Sequence, residues 1–500
     1  MNGLERLNAQ IRHELELLSY PSRSWVAPRR HISGAPTYNV VIIGAGQGGL
    51  ATAFALRREC VDHILVIDER QAGTEGPWLS FARMPTLRTP KHLTGPDLGI
   101  PSLTFRAWYE AQYGREAWEL LQKIPTELWA RYLAWFRQVL DLPVQNGVRV
   151  LRIVPERDPL RLGGYLFRLE LAERPPIYAR RVVLATGIEG SGKWYTPSFI
   201  ETALPKSLWA HTSEAIDFSA LSGKAVGVLG AGASAFDNAA AALEAGAAEV
   251  HLFFRRKELP RANPYRWMEF TGFLKHFADL DDAMRWRMMR HIFTANQPPP
   301  QETFQRAARF ANFYLHPASP WTGAAVDQGQ ARVFTPAGSH LFHFLIIGTG
   351  FIVDLKERPE LASVEGEIAR WQDRYVPPPG EEDHQLAAYP YLGPHFEFTE
   401  RVKGRAPYLK HLYNFTFGAT ASMGLGGASI SGMKYGVSRL VAGITRSFFE
   451  EDAEKYYNSL LAYDEPELEV NLDERVDHAR PRYVPGKTGG RPADRALGPG

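Results

Sequence analysis

Cysteine is almost missing from this chain of 500 residues, Cys60 being the single example. No intrachain disulfide, Cys-x-x-Cys redox pair or multi-cysteine zinc site is therefore available. Net charge is nearly missing too. The 57 Lys and Arg face 55 Asp and Glu, a formal +2, so no long-range field gathers nucleic acid or an anionic membrane. No uninterrupted apolar run reaches the roughly 18 residues of a membrane helix. Residues 1–21 lack the basic-then-apolar order and small-residue cleavage site of a secretory signal, so a cytoplasmic protein is expected. At 45% hydrophobic and 22% charged, the composition is that of an ordinary globular chain with room for two or three domains.

What is present begins with a periodicity. Leu4, Leu7, Ile11, Leu15 and Leu18 recur at helical spacing and predict an amphipathic surface helix. Residues 38–43 (YNVVII) form a short apolar run, followed by Gly44-Ala45-Gly46-Gln47-Gly48-Gly49 and a helical stretch, 51–58. This is strand, G-x-G-x-x-G, helix. Gly44 permits the tight turn, Gly46 lets backbone approach a pyrophosphate, and Gly49 lets helix pack on strand, while the helix N-terminus offers amides to phosphate. A second run, 63–67, ends in Asp68-Glu69, and Glu69 lies 20 residues past Gly49, where a carboxylate accepts from ribose hydroxyls.

A second unit follows Lys224: strand 225–229, then Gly230-Ala231-Gly232-Ala233-Ser234-Ala235 and an alanine-rich helix. Ala235 replaces the third glycine, a substitution this fingerprint tolerates. The next strand, 250–254, ends in Arg255-Arg256, where guanidinium suits a ribose 2′-phosphate and a carboxylate would repel it. NADPH is expected over NADH; exposed strand-end arginines without a ligand are the plainer alternative. Two nucleotide sites in one chain suggest electron transfer between two cofactors. Disulfide reductases of this plan need a redox cysteine pair, which one cysteine cannot supply.

Further motifs narrow the class. Residues 69–78 (ERQAGTEGPW) match an acidic-residue-to-G-G-x-W segment at Gly76 and Trp78, with Glu75 in place of the first glycine. Residues 182–187 (VVLATG) and 345–351 (LIIGTGF) look like a pair of A-T-G linkers, the second with Gly348 for alanine, and His211 stands just before the second fingerprint. From about residue 38 to 450 the chain thus resembles the two-dinucleotide-binding, class B type, flavin monooxygenases. Within them it is similar to bacterial amino-acid and amine N-oxygenases more than to Baeyer–Villiger enzymes, whose F-x-G-x-x-x-H-x-x-x-W signature keeps only His211 here, against Pro205, Ser207 and Ala215.

The resemblance implies an α/β fold of two Rossmann-like domains, the NADPH domain inserted into the FAD domain. The expected divisions are an N-terminal helix and linker (1–36), FAD-binding segments (37–190 and 335–465), an NADPH-binding domain with a helical insertion (191–334) and a flexible tail (466–500). FAD would be held by Gly44, Gly46, Gln47, Gly49, Glu69 and Trp78, and NADPH by Gly230, Gly232, Ser234, Ala235, Arg255 and Arg256. No metal is implied.

The implied activity moves one oxygen atom of O2 to a small molecule through a flavin C4a-hydroperoxide at NADPH's expense. N-hydroxylation of an amino acid or amine is the expected reaction. Baeyer–Villiger or purine-like ring hydroxylation, and an NADPH reductase serving another acceptor, are the alternatives. The flavin carries the hard chemistry, so no dedicated nucleophile is required. Arg88 and Lys91, in the proline-broken stretch 84–93, and His211 are the catalytic candidates. Arg261, Asn263, Arg266 and Trp267 form a second cluster, and the glycine-rich stretch 423–432 is expected to approach the flavin ring. His316 reads as a structural histidine, and the aromatic helices at 103–113 and 126–140 as core. Substrate and O2 are the expected partners, and a homo-oligomer is left open.

Overall fold

The computed structural model describes residues 2–20, 23–161, 163–427 and 429–468. The tail expected at 466–500 lies, from residue 469 on, outside them. Contacts divide the chain into Met1–Glu451 and Asp452–Gly500. In the second unit the described residues hold one short helix, Ala453–Leu461. Among the described residues no helix is long and apolar enough to cross a membrane.

Helix α1 (Gly3–Leu17) opens on a reciprocal cap, Asn2 accepting from the Glu5 amide and Glu5 from the Asn2 amide, and buries Leu7, Ile11 and Leu15. Leu18 falls just past its end and stays exposed. The first domain then starts with β1 (Pro36–Ile43), α2 (Gln47–Arg58) and β2 (Ile64–Ile67). Helices α3 (Phe105–Leu120) and α4 (Thr126–Val139) come next and bury Trp108, Trp118, Trp129, Tyr132 and Phe136, so their aromatics are core as expected. Strands β3 (Val144–Gln145), β4 (Val150–Arg157), β5 (Tyr165–Leu171) and β6 (Arg174–Leu184) complete the sheet in the order β3-β2-β1-β6-β5-β4.

β6 is eleven residues long and serves three partners. It runs parallel to β1, while its other edge pairs antiparallel with β5 near its start and parallel with Leu412–Asn414 at residues 182–184. The A-T-G segment leaves from its end.

After β7 (Gly192–Trp194) comes a five-stranded parallel sheet. Its strands are β8 (Trp209–His211), β9 (Ala225–Leu229), β10 (Glu249–Phe253), β11 (Phe313–His316) and β12 (Phe344–Ile347), ordered β11-β10-β9-β12-β8. Helix α5 (Ala233–Glu244) follows β9; α6 (Asp282–Ala295) and α7 (Gln301–Ala308) belong to the helical insertion. A three-stranded antiparallel meander, residues 323–342, precedes β12. The boundary expected at 334/335 therefore falls too early, because the second sheet claims residues up to Ile347. An apolar LIIG run reads the same in either sheet, so sequence could not assign it.

The chain returns through β13 (Phe351–Val353), antiparallel to β7, and this two-stranded ribbon makes the double crossing between domains. β14 (Leu412–Asn414) and α8 (Ile430–Glu451) then complete the first domain. At the end of α8, Glu451 meets the buried Arg180 and Arg181 of β6 at 3.3 and 2.5 Å and Arg29 at 3.1 Å. Burial opposes its charge, but these guanidinium groups hold the carboxyl down at about 2.

Candidate functional site

Each fingerprint rests on the linker that leaves its own sheet. A Cβ on Gly44 (φ +107) would sit 2.4 Å from the Ala185 carbonyl oxygen, and one on Gly230 (φ +135) 2.2 Å from that of Gly348. A Cβ on Gly49 would lie 1.9 Å from the Gly44 oxygen, so only glycine lets α2 approach its turn. In the second domain the contact is exchanged: Ala235 fills the glycine's place and the opposing residue shrinks to Gly348, where a Cβ would stand 2.8 Å from that of Ala235. The two departures noted in the sequence compensate one another.

Gly46 and Gly232 differ from these. Each is the N-cap of its helix, has ordinary negative φ, receives no side-chain cap, and has no atom within 4 Å of an added Cβ. First-turn amides without a side-chain partner beside open space suit a pyrophosphate, so the residues present fit the two nucleotides. Ser234 is exposed at the start of α5, as a phosphate contact requires.

A cleft of about 390 Å³ runs along the first fingerprint, touching Gly46, Gln47, Glu69, Trp78, Phe81 and Trp194. Gln47 is held by the Trp129 indole N–H at 3.3 Å, and Trp78 packs edge-on to the same ring. Glu69 is exposed and faces Arg149 at 3.7 Å. Its neighbour Asp68 does work the spacing did not reveal: one oxygen accepts the Ala45 amide at 2.8 Å and the other that of Arg70, bracing the glycine turn. Arg149, Arg358 and the buried Glu360 also line this cleft and carry no motif that points to them.

The candidates expected to act in catalysis are differently employed. Lys91 donates to the Trp118 carbonyl at 2.7 Å and lies over the Trp118 ring, closing the C-terminal end of α3. Arg88 reaches Asp237 of α5 at 3.2 Å, and its carbonyl accepts from Arg266. His211 is buried against Trp194, with ring centroids 5.3 Å apart, and its Nδ1 accepts the Ser213 amide. Burial pushes its imidazole down to about 4 against the opposing effects of Glu214 and the Gly350 backbone, so it is neutral, and its Nε2 is enclosed.

Of the two strand-end arginines, Arg255 is exposed, whereas Arg256 donates to the Thr294 and Ala295 carbonyls at 2.7 and 3.1 Å and caps α6. The pair expected to share one phosphate is thus split. A cavity of about 650 Å³ nearby is lined by Arg88, Lys123, Arg261, Asn263, Arg266 and the proline run 298–300. Each of its cations has an acidic partner: Glu302 for Lys123, Asp237 for Arg88, Glu258 for Arg261 at 4.0 Å and Glu269 for Arg266 at 3.2 Å. Trp267 and Phe270 stand exposed beside it in sequence. His316 pairs with His251 at 2.9 Å, structural as expected, and Asn312 donates to the Ala247 carbonyl. In the stretch 423–432, Gly427 borders the cleft. Ala428 lies outside the described residues. Among the described residues no cluster could hold a metal.

Comparison with known proteins gives three findings. Residues 41–271 match the family model described as pyridine nucleotide-disulphide oxidoreductase. An FAD-dependent urate hydroxylase of Xanthomonas campestris pv. campestris is 47% identical over 466 residues, spanning 93% of this chain and 97% of that protein. Among solved structures, the ornithine hydroxylase of Pseudomonas aeruginosa superposes with a TM-score of 0.63 at 14% identity, covering 82% of this chain and 99% of the other. An ornithine N-hydroxylase of Kutzneria sp. 744 does so with 0.62 at 16%, covering 82% and 100%.

Proposed function

The chain belongs to the FAD-dependent flavin monooxygenases, and from that premise we propose that it hydroxylates a purine ring, urate foremost, using NADPH and O2. The observation that carries this reading is the 47% identity to a urate hydroxylase across 97% of that protein. N-hydroxylation of an amine, expected from the sequence, has behind it a likeness of 14–16% identity, which speaks for fold alone.

FAD, when bound, supplies the redox and oxygen-transferring chemistry, with NADPH as electron donor and water as the product of the second oxygen atom. The protein's part is to bind, orient and exclude. Gly44, Gly46, Gln47 and Gly49 would cradle the FAD pyrophosphate, Glu69 its ribose, and Trp78 and Phe81 would wall the cleft. Gly230, Gly232 and Ser234 would take the NADPH pyrophosphate on α5, with Arg255 toward the 2′-phosphate. Neutral His211 offers an Nε2–H beside Trp194 without carrying charge into a dry interior.

The test is consumption of NADPH by the purified enzyme with urate, other purines, ornithine, lysine and cadaverine, coupled to loss of urate absorbance and to product mass. Urate should accelerate NADPH oxidation and gain one oxygen atom. A hydroxylated amine with urate left unchanged would reverse the assignment.

A further inference from the structure

Residues 81–91 run from the wall of the FAD-side cleft, which Phe81 lines, along the second domain. On the first-domain side they are fastened by backbone: Leu87 donates to the Ile124 carbonyl at 2.8 Å and Thr126 to that of Pro85 at 3.0 Å. The Leu87 side chain is buried. On the other side they are fastened by charge. Arg83 spends its guanidinium on the main-chain carbonyls of Thr212 and Glu214, at 3.2 and 2.7 Å. Arg306 of α7 donates back to the Arg83 carbonyl at 3.1 Å.

At the centre lies Asp237, on the second turn of α5, the helix that would bind the coenzyme. Its side chain is 2% exposed, against 35% for Arg88. One carboxylate oxygen accepts from Arg88 at 3.2 Å; the other accepts from Thr303 at 3.3 Å and lies 3.6 Å from Arg306. A buried carboxylate is tolerated only while its partners stay in place. Arg88 comes from the first domain, so Asp237 is fully satisfied only in this relative setting of the domains. The hydride path needs such a setting, since transfer requires reacting atoms within about 3.5 Å.

We propose that residues 81–91 form an interdomain strap, and that Asp237 is the positioning residue by which the strap holds the NADPH-bearing domain in register with the FAD-bearing one. This rests on the assignment of the two nucleotide sites made above. Asp237 touches neither cofactor in this account; it acts through Arg88 and α5.

Asp237→Asn and Arg88→Gln, singly and together, test it in the FAD-loaded enzyme. FAD content and equilibrium binding of NADP⁺ should stay within about twofold of the unaltered protein, because neither ligand is contacted. The limiting rate of anaerobic flavin reduction at saturating NADPH should fall about tenfold or more in each single variant, as misregistered reactants lose orientation. The double variant should be no slower than the worse single one, since both remove one interaction. A purely structural role would lower thermal stability and leave the limiting rate alone. If Asp237→Asn does not fold, Arg88→Gln carries the same measurement from the more exposed partner. Variants reducing at the unaltered rate, or losses that multiply in the double variant, overturn the strap. If the unaltered enzyme holds no FAD or is not reduced by NADPH, the site assignment falls and takes the strap with it.

Discussion

Glycines that look alike in sequence divide into two kinds once their surroundings are known. Gly49→Ala drives a Cβ into the Gly44 carbonyl and should cost about 3 kcal/mol or more, read as a drop in the urea midpoint. Gly46→Leu meets no atom in the protein and keeps an allowed φ of −70°, so it should fold with near-normal stability yet lose FAD by absorbance. The arginines divide the same way. Arg255→Ala should weaken NADPH binding more than tenfold and spare NADH, through loss of a charge-assisted contact of about 1.5 to 3 kcal/mol. Arg256→Ala should leave the coenzyme preference intact and instead lower stability by about 1 to 2 kcal/mol, since it removes two bonds to the last carbonyls of α6. Titration of both variants with both coenzymes, alongside thermal melts, separates the roles. The residues that fit a fingerprint were readable because the chemistry of a tight turn is local. Asp68 and Asp237 were not, because Ala45 and Arg88, which they hold, lie far from them in the chain, and Glu360, paired with Arg358 two residues before it, sits in a stretch without a motif. One signal was there for Asp237: an acid inside the otherwise apolar helix run ASAFDNAAAA.

At the scale of elements, titration is the sensitive probe. On β11, burial together with His251 and His340 pushes His316 down to about 4, and buried His211 on β8 is likewise near 4. Both lie below the roughly 6.5 of an unfolded histidine, so the unfolded chain takes up protons first. The stability these groups permit is full above pH about 6.5 and is lost as pH falls toward 4. His316→Gln should flatten the urea midpoint across that window. Glu451, held at about 2, adds a second loss as pH drops from about 4.5 through 2, and Glu451→Gln should remove that lower slope while weakening the protein at neutral pH. The long elements were legible: strand-turn-helix units and the aromatic helices follow directly from periodicity. The meander at 323–342 and β12 were not, since short strands carry too few residues to say which sheet they join.

For the whole molecule, ligand and fold are linked. Because FAD would bind only the folded chain, stripping and restoring it should shift the melting transition, with about 2.7 kcal/mol returned at a hundredfold excess over the dissociation constant. The plan of one domain set inside another was visible from two fingerprints and two linkers, whereas the strap joining them was not, being built from single contacts between distant residues. That plan has a consequence in time. β14 pairs with residues 182–184 of β6, about 230 residues upstream. At a synthesis rate of roughly 5 to 20 residues per second, this edge of β6 leaves the ribosome some 10 to 50 s before its neighbour exists. The second sheet, by contrast, is built wholly from residues 209–347 and can form during the wait, whereas α6 must await the residues 353–425 that cover it. The first-encoded sheet is thus the last to be finished, and its open strand edge is an invitation to mispairing with other nascent chains. A chain stopped at residue 405 should accordingly aggregate and fail to retain FAD, although both glycine fingerprints are present in it. In the cell, yield of active protein should track holdase chaperone supply more closely than the melting temperature of the finished enzyme.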